Sequence, residues 1–136
     1  MKILIVDDSS TMRRMIIASL QDLPGVTFAE ASNGMAAFEQ IAIWHSETSP
    51  INAIILDLNL PDISGLDVLK FIKSNAAYTK ITVIIMTAEK AETSNKEALD
   101  SGAKCYITKP FEPQILSKKI QELLNQENFW ETAKTG

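Results

Sequence analysis

Three aspartates, a threonine and a lysine each close or directly follow a run of branched apolar residues. Asp7 and Asp8 come after "ILIV", Asp57 after "AIIL", Thr87 ends "TVIIMT", and Lys109 follows "CYIT". Adjacent carboxylates raise each other's pKa and resist joint ionisation unless a cation or a hydrogen-bond donor sits between them. Hard carboxylate oxygens suit Mg²⁺, which takes few protein ligands and keeps its remaining positions for water or phosphate oxygens. With a lysine and a hydroxyl to hold incoming phosphoryl oxygens, an aspartate beside such an ion is a candidate nucleophile for forming an aspartyl phosphate.

This chemistry requires residues from both ends of the chain to meet, so the elements carrying them must form one sheet. The pattern provides one. Strands are expected at Ile3 to Val6, in "VTFAEA", "INAIILDL" and "ITVIIMTA", and in "AKCYITKP". Continuous apolar character over four to eight residues marks strands covered on both faces. Between them lie segments of helical period. "TMRRMIIASLQDL" places Met12, Met15, Ile16, Leu20 and Leu23 at helical spacing, and "GMAAFEQIAIWH" does the same with Met35, Phe38, Ile41 and Ala42. "SGLDVLKFIKS" carries a Ser64-x-x-Asp67 capping signature before Leu66, Leu69 and Ile72. "KAETSNKEALDSG" has helical composition, few large apolar residues beyond Ala98 and Leu99, and a stop at Gly102, while "PQILSKKIQELLNQ" turns Leu116, Ile120, Leu123 and Leu124 inward.

Strand and helix alternate five times, which predicts an α/β fold: a doubly wound, five-stranded parallel sheet of the flavodoxin-like (βα)5 type, order 2-1-3-4-5. In such sheets ligands bind beyond the carboxyl ends of the strands, where strand order reverses, here between strands 1 and 3. Asp7, Asp8 and Asp57 flank that point, with Thr87 and Lys109 on the two strands beyond.

Composition narrows the function classes. A chain of 136 residues, 46% hydrophobic and 22% charged, suits one domain, expected over residues 1–125 with a C-terminal tail at 126–136. A net charge of −4 argues against a nucleic-acid binder. Cys105 is the lone cysteine, so no intrachain disulfide and no C-x-x-C zinc spacing exist, and a reducing, cytoplasmic setting is expected. Lys2 precedes too few aliphatic residues for a signal-peptide core, and no apolar run approaches the roughly 18 residues of a membrane span.

At the site residues the chain resembles the receiver domains of two-component response regulators. "VDD", "LDLNLP" with "SGLD" after it, "MTA" and "TKPF" occur in order over about residues 2 to 124, and the ordered set is far more specific than any one motif. Within that family it is most similar to the stand-alone chemotaxis type, through "STMRR", Asn59, "TAE", Tyr106 and "KPF". The resemblance implies that Asp57 accepts a phosphoryl group from a sensor histidine kinase. It implies further that Asp8 and the backbone carbonyl of Asn59 help hold Mg²⁺ with Asp57, that Asp7 acts largely through water, and that Thr87 and Lys109 contact the phosphoryl oxygens. It also implies a cis Lys109-Pro110 peptide and an influence of Asn59 and Glu89 on water access. Output would pass from a monomer, through Thr87, Tyr106 and the surface of helix 4, strand 5 and helix 5, to a downstream protein. Asn95 is more polar than chemotaxis relatives tend to be there.

Competing readings are weaker. Asp7 or Asp8 as a helix cap, Asp57 as a turn residue, Thr87 as a strand-end hydroxyl and Lys109 as a surface lysine each explain one position and leave the convergence unexplained. Tyr106 stays open between a half-buried strand aromatic and a switching residue. His45 is expected to be solvated, Cys105 to be buried, and the methionines to be core. No G-x-x-x-x-G-K-[ST] or G-x-G-x-x-G loop is present. An aspartate-dependent phosphatase would carry a D-x-D nucleophile after strand 1, where this chain has "DDS". A receiver fragment of a larger regulator, or a phosphorelay intermediate, is the nearer alternative. In none of the receiver readings is the protein an enzyme beyond self-phosphorylation and autodephosphorylation.

Overall fold

The computed structural model describes residues 1–88 and 92–135, with helix side chains over 94–100 and up to residue 125. Ten elements alternate: β1 (Lys2–Val6), α1 (Ser10–Leu20), β2 (Thr27–Ala31), α2 (Gly34–Trp44), β3 (Ala53–Leu56), α3 (Gly65–Ser74), β4 (Thr82–Thr87), α4 (Glu92–Asp100), β5 (Cys105–Thr108) and α5 (Pro113–Thr135). The strands are parallel, as the alternation predicts, and run in the order 2-1-3-4-5 expected of the flavodoxin-like type. The helix of α5 runs past Gln126 into the segment expected as a tail, whose side chains lie outside the described residues.

Every residue of β3 and β4 is buried because helices cover both faces of the sheet. Ile3, Ile5, Ala53, Ile55, Ile84 and Met86 point to one side, where Ile16 and Leu20 of α1 and Leu116, Ile120 and Leu124 of α5 meet them. Leu4, Val6, Ile54, Leu56, Val83 and Ile85 point to the other, against Ala37 and Ile41 of α2, Leu69 and Ile72 of α3 and Ala98 of α4. The period-2 alternation of the strands thus divides the core into two layers.

Several helix faces differ from expectation. Met15 and Met35 are exposed, and of the methionines only Met86 is fully buried. The buried seam of α1 is Ile16 and Leu20, and that of α2 is Gly34, Ala37 and Ile41. Ala37 and Ile41 pack in the core and Gly34 against Asp62 and Ile63 of the loop after β3, while Met35 and Ala42 face outward and Phe38 lies edge-on against Phe71. In α4, Leu99 is exposed and Asn95 takes the inward position beside Ala98. Cys105 is only partly buried, and burial still pushes its thiol pKa up. Ser64 does cap α3, but its hydroxyl accepts from the Leu66 N–H rather than from that of Asp67. His45 is not simply solvated. Its Nδ1 accepts the Ile51 N–H at 3.0 Å, which leaves Nε2 to donate to the Ala77 carbonyl at 2.9 Å. Among the described residues, no helix is long and apolar enough to cross a membrane.

Candidate functional site

Strand register brings the acidic residues together. Val6 lies opposite Leu56, so the residues that follow, Asp7 and Asp57, leave adjacent strands side by side. The Asp57 N–H donates to the Val6 carbonyl and the Asp7 N–H to that of Ala31, extending the ladder one step beyond the strands. On the other flank Thr87 pairs with Thr108, and the Lys109 N–H reaches the Thr87 carbonyl at 2.9 Å. Lys109 therefore enters from the far edge of the sheet, and the peptide to Pro110 is cis.

Its ammonium lies 2.6 Å from Asp7 Oδ2 and 2.8 Å from Asp57 Oδ2. The remaining oxygens are also engaged. Asp7 Oδ1 accepts the Ser9 N–H, and Asp57 Oδ1 accepts the Asn59 N–H at 3.0 Å. Burial by itself would lower the lysine pKa, but the hydrogen bonds that the ammonium donates to Asp57 and Asp7 outweigh it and hold the group above the ordinary lysine value. Lys109 is thus a fixed cation. Two carboxylates that are nearly fully buried tolerate each other because this ammonium stands between them.

Asp8 completes the cluster from the surface. One carboxylate oxygen from each of Asp7, Asp8 and Asp57 can be chosen so that all three lie within 4.8 Å of one another. Asp8 is exposed and has no hydrogen-bond partner among the described residues, so its carboxylate is free to turn toward a cation. An all-oxygen set with one solvent-facing member fits a hard divalent ion that retains water. Thr87 is fully buried at the end of β4, Asn59 is exposed on the loop after Asp57, and Tyr106 is 41% exposed on β5. Glu89 lies outside the described residues.

Three supporting residues escape a reading by motif. Gly65 begins α3 directly over the phosphoacceptor candidate: a Cβ there would stand 2.1 Å from the Asp57 carbonyl oxygen and 2.7 Å from Leu58 Cα. Asp62 fastens the loop after β3 to α2, accepting the Gly34 and Ile63 N–H groups at Oδ1 and the Met35 N–H at Oδ2. The Met35 hydrogen bond, helped by those from Gly34 and Ile63, holds its carboxyl below the usual range despite some desolvation. Arg13 donates to the Asp7 carbonyl and to Glu30. The available signals were "ISG" after a strand, an acid before a turn facing an Asn-Gly helix start, and the first arginine of "MRR"; none specifies its partner.

A (βα)5 sheet with a buried acid–lysine–acid group at its carboxyl edge places the chain in a class of α/β signalling domain. The chain belongs to the response regulator receiver family, whose domain model matches residues 3–121. It is 37% identical over 124 residues to the chemotaxis protein CheY1 of Helicobacter pylori, covering 91% of this chain and 97% of that protein. A CheY-like receiver domain structure from Methanospirillum hungatei superposes with a TM-score of 0.80 at 26% identity, covering 93% of this chain and 95% of the other. The Mn²⁺-bound response regulator Rcp1 gives 0.73 at 31% identity, with 95% and 93% covered. This is a CheY-type receiver domain, a signalling module rather than a conventional enzyme.

Proposed function

We propose that the protein is a phosphorylation-operated switch in which Asp57 accepts a phosphoryl group from a histidine kinase. The observation that carries this reading is the Lys109 ammonium held at 2.8 Å from Asp57 and 2.6 Å from Asp7 beside the three-carboxylate cluster. In the transfer, an Asp57 carboxylate oxygen bonds to phosphorus as the bond to the donor's imidazole nitrogen, or to the acyl oxygen of acetyl phosphate, breaks. The histidine nitrogen takes up a proton from solvent as it departs, whereas acetate leaves as the carboxylate anion. Hydrolysis reverses the outcome when water attacks phosphorus and the aspartyl oxygen departs.

Asp7, Asp8 and Asp57, with the Asn59 carbonyl, are the groups that would hold Mg²⁺, and the Mn²⁺-bound state of the related Rcp1 supports a divalent ion here. Such an ion supplies charge to neutralise the transferring oxygens. The protein's own contribution is positional. Lys109 neutralises Asp57 before transfer and can follow the new negative charge onto a phosphoryl oxygen afterwards, without changing protonation. The Asn59 N–H orients the nucleophile through Asp57 Oδ1. Thr87, on the neighbouring strand, provides the hydroxyl for a second phosphoryl oxygen.

That inward pull on Thr87, with Tyr106 two residues along β5 from its ladder partner Thr108, links the site to the surface of α4, β5 and α5. A partner protein reading that surface completes the switch. The chemotaxis names of its relatives favour a chemotaxis pathway, and a monomer in the cytoplasm is the expected setting. Acetyl phosphate with Mg²⁺ should add one phosphoryl mass to the parent chain and none to Asp57→Asn. Undiminished labelling of that variant, at the same site stoichiometry, refutes the assignment.

A further inference from the structure

Arg13 poses a question about charge. A guanidinium on the first turns of α1, next to Asp7 and Asp8, would ordinarily pair with those carboxylates. It does not. Nη1 donates instead to the backbone carbonyl of Asp7 at 2.6 Å, and Nε to Glu30 of β2 at 2.9 Å. The side chain is 15% exposed, so its arrangement is well sheltered although Glu30 itself is half open to solvent. Asp8, one residue along, has no partner among the described residues.

We infer that Arg13 and Glu30 together are positioning residues for the metal-binding acid pair: Arg13 fixes the Asp7–Asp8 peptide, and Glu30 keeps the guanidinium off the Asp8 carboxylate. Three of the four polar groups of Asp7 are tied by its N–H to Ala31, Oδ1 to Ser9 and Oδ2 to Lys109. The carbonyl is the fourth, and it defines the peptide plane from which Asp8 departs. Locking it sets the direction of the Asp8 side chain while leaving that carboxylate unneutralised. Partners of this outer kind usually change metal affinity by roughly 10–100-fold when removed.

Two variants separate the two parts. Arg13→Lys keeps the positive charge but cannot reach both the Asp7 carbonyl and Glu30 with a planar fork. Glu30→Gln leaves the fork and an acceptor but removes the charge that holds Arg13, so the guanidinium is drawn toward Asp8.

The inference rests on the receiver reading, so the first measurement is Mn²⁺ binding to the parent chain by calorimetry or electron spin resonance. A parent that binds no Mn²⁺ overturns the metal site itself. With a binding parent, Arg13→Lys should weaken Mn²⁺ by roughly 10-fold. Glu30→Gln should weaken it too, more at low than at high salt, because the new Arg13–Asp8 attraction is screened. The double variant Arg13→Gln with Glu30→Gln should lose no more than Arg13→Gln alone, since without the cation Glu30 has no charge to hold off Asp8. Metal-free melting temperatures, read in parallel, should not rank the variants in the same order as their affinities. Affinity within twofold of the parent in Arg13→Lys, or losses that simply add in the double variant, overturns the inference while leaving the receiver reading intact.

Discussion

Asn95 is only 4% exposed on the inner face of α4, and its Oδ1 has no hydrogen-bond partner among the described residues. Leaving a buried acceptor unpaired costs about 1–3 kcal/mol. Leucine has the same branching as asparagine without the polar atoms, and it is the better helix former by up to about 0.7 kcal/mol. Against these gains stand the slightly greater size of the leucine methyl groups and any bond that Nδ2 makes. The net expectation for Asn95→Leu is about 1–2 kcal/mol of added stability. For a 136-residue domain, with an unfolding entropy near 0.3 kcal/mol/K, that raises the melting temperature by roughly 3–7 °C. Asn95→Ala serves as the control: it removes the orphan oxygen but leaves space, and should fall between the parent and the leucine variant. The assay is thermal unfolding by circular dichroism, with a urea titration to confirm an unchanged slope. A leucine variant no more stable than the parent, with alanine lower still, would show that Asn95 is satisfied in solution and that α4 carries no such penalty.

Two further outcomes follow from the supporting residues. Gly65→Ala drives a Cβ into backbone atoms at 2.1 and 2.7 Å, which no rotamer change can relieve; it should cost about 2–3 kcal/mol in urea and impair phosphoryl labelling of Asp57, and a parental urea midpoint would contradict the close approach. Asp62 titrates lower folded than unfolded, so its contribution is fully present above the unfolded carboxyl value of about 3.9 and is lost as pH falls through the folded one. Asp62→Asn should therefore be less stable than the parent at pH 6, and the gap should shrink below about pH 4; a gap independent of pH would mean that the charge is irrelevant.

The central strands were legible because burial on both faces leaves little but aliphatic residues, and alternation with helices makes the sheet parallel; the order 2-1-3-4-5 came from matching that alternation to the flavodoxin-like type. The same regularity exposed the site. A charged residue at the end of a buried strand must emerge at the sheet edge, so Asp7, Asp57 and Lys109 could be placed near one another without coordinates. Helix faces were less legible. A stripe drawn from large apolar residues put Met35 and Leu99 inside, whereas α2 buries Gly34 and Ala37 beside Ile41, and α4 buries Asn95 and Ala98. Small residues carry almost no hydropathy signal, so a helix packed through them looks featureless.

Least legible were contacts between loops and helix ends. Asp62 meets Gly34 from 28 residues away, and Arg13 meets Glu30 across 17, and in both cases the partner is selected by tertiary position. His45 shows the same thing: a histidine after a tryptophan predicts nothing, yet its two ring nitrogens join the start of the β3 segment to the loop before β4. These unforeseen bonds surround the predicted acids in a definite pattern. Asp62 ties down the loop that carries Asn59, Gly65 lets α3 close over Asp57, and Arg13 holds the peptide before Asp8. Motif residues state which chemistry is available. The supporting bonds determine how much of each group's freedom remains, and in this site they tie the carboxylates of Asp7 and Asp57 while leaving that of Asp8 exposed and unpaired among the described residues. That division fits the proposed switch: Lys109 holds Asp57 and Asp7 in place, and the exposed Asp8 carboxylate is the one an arriving ion would meet first.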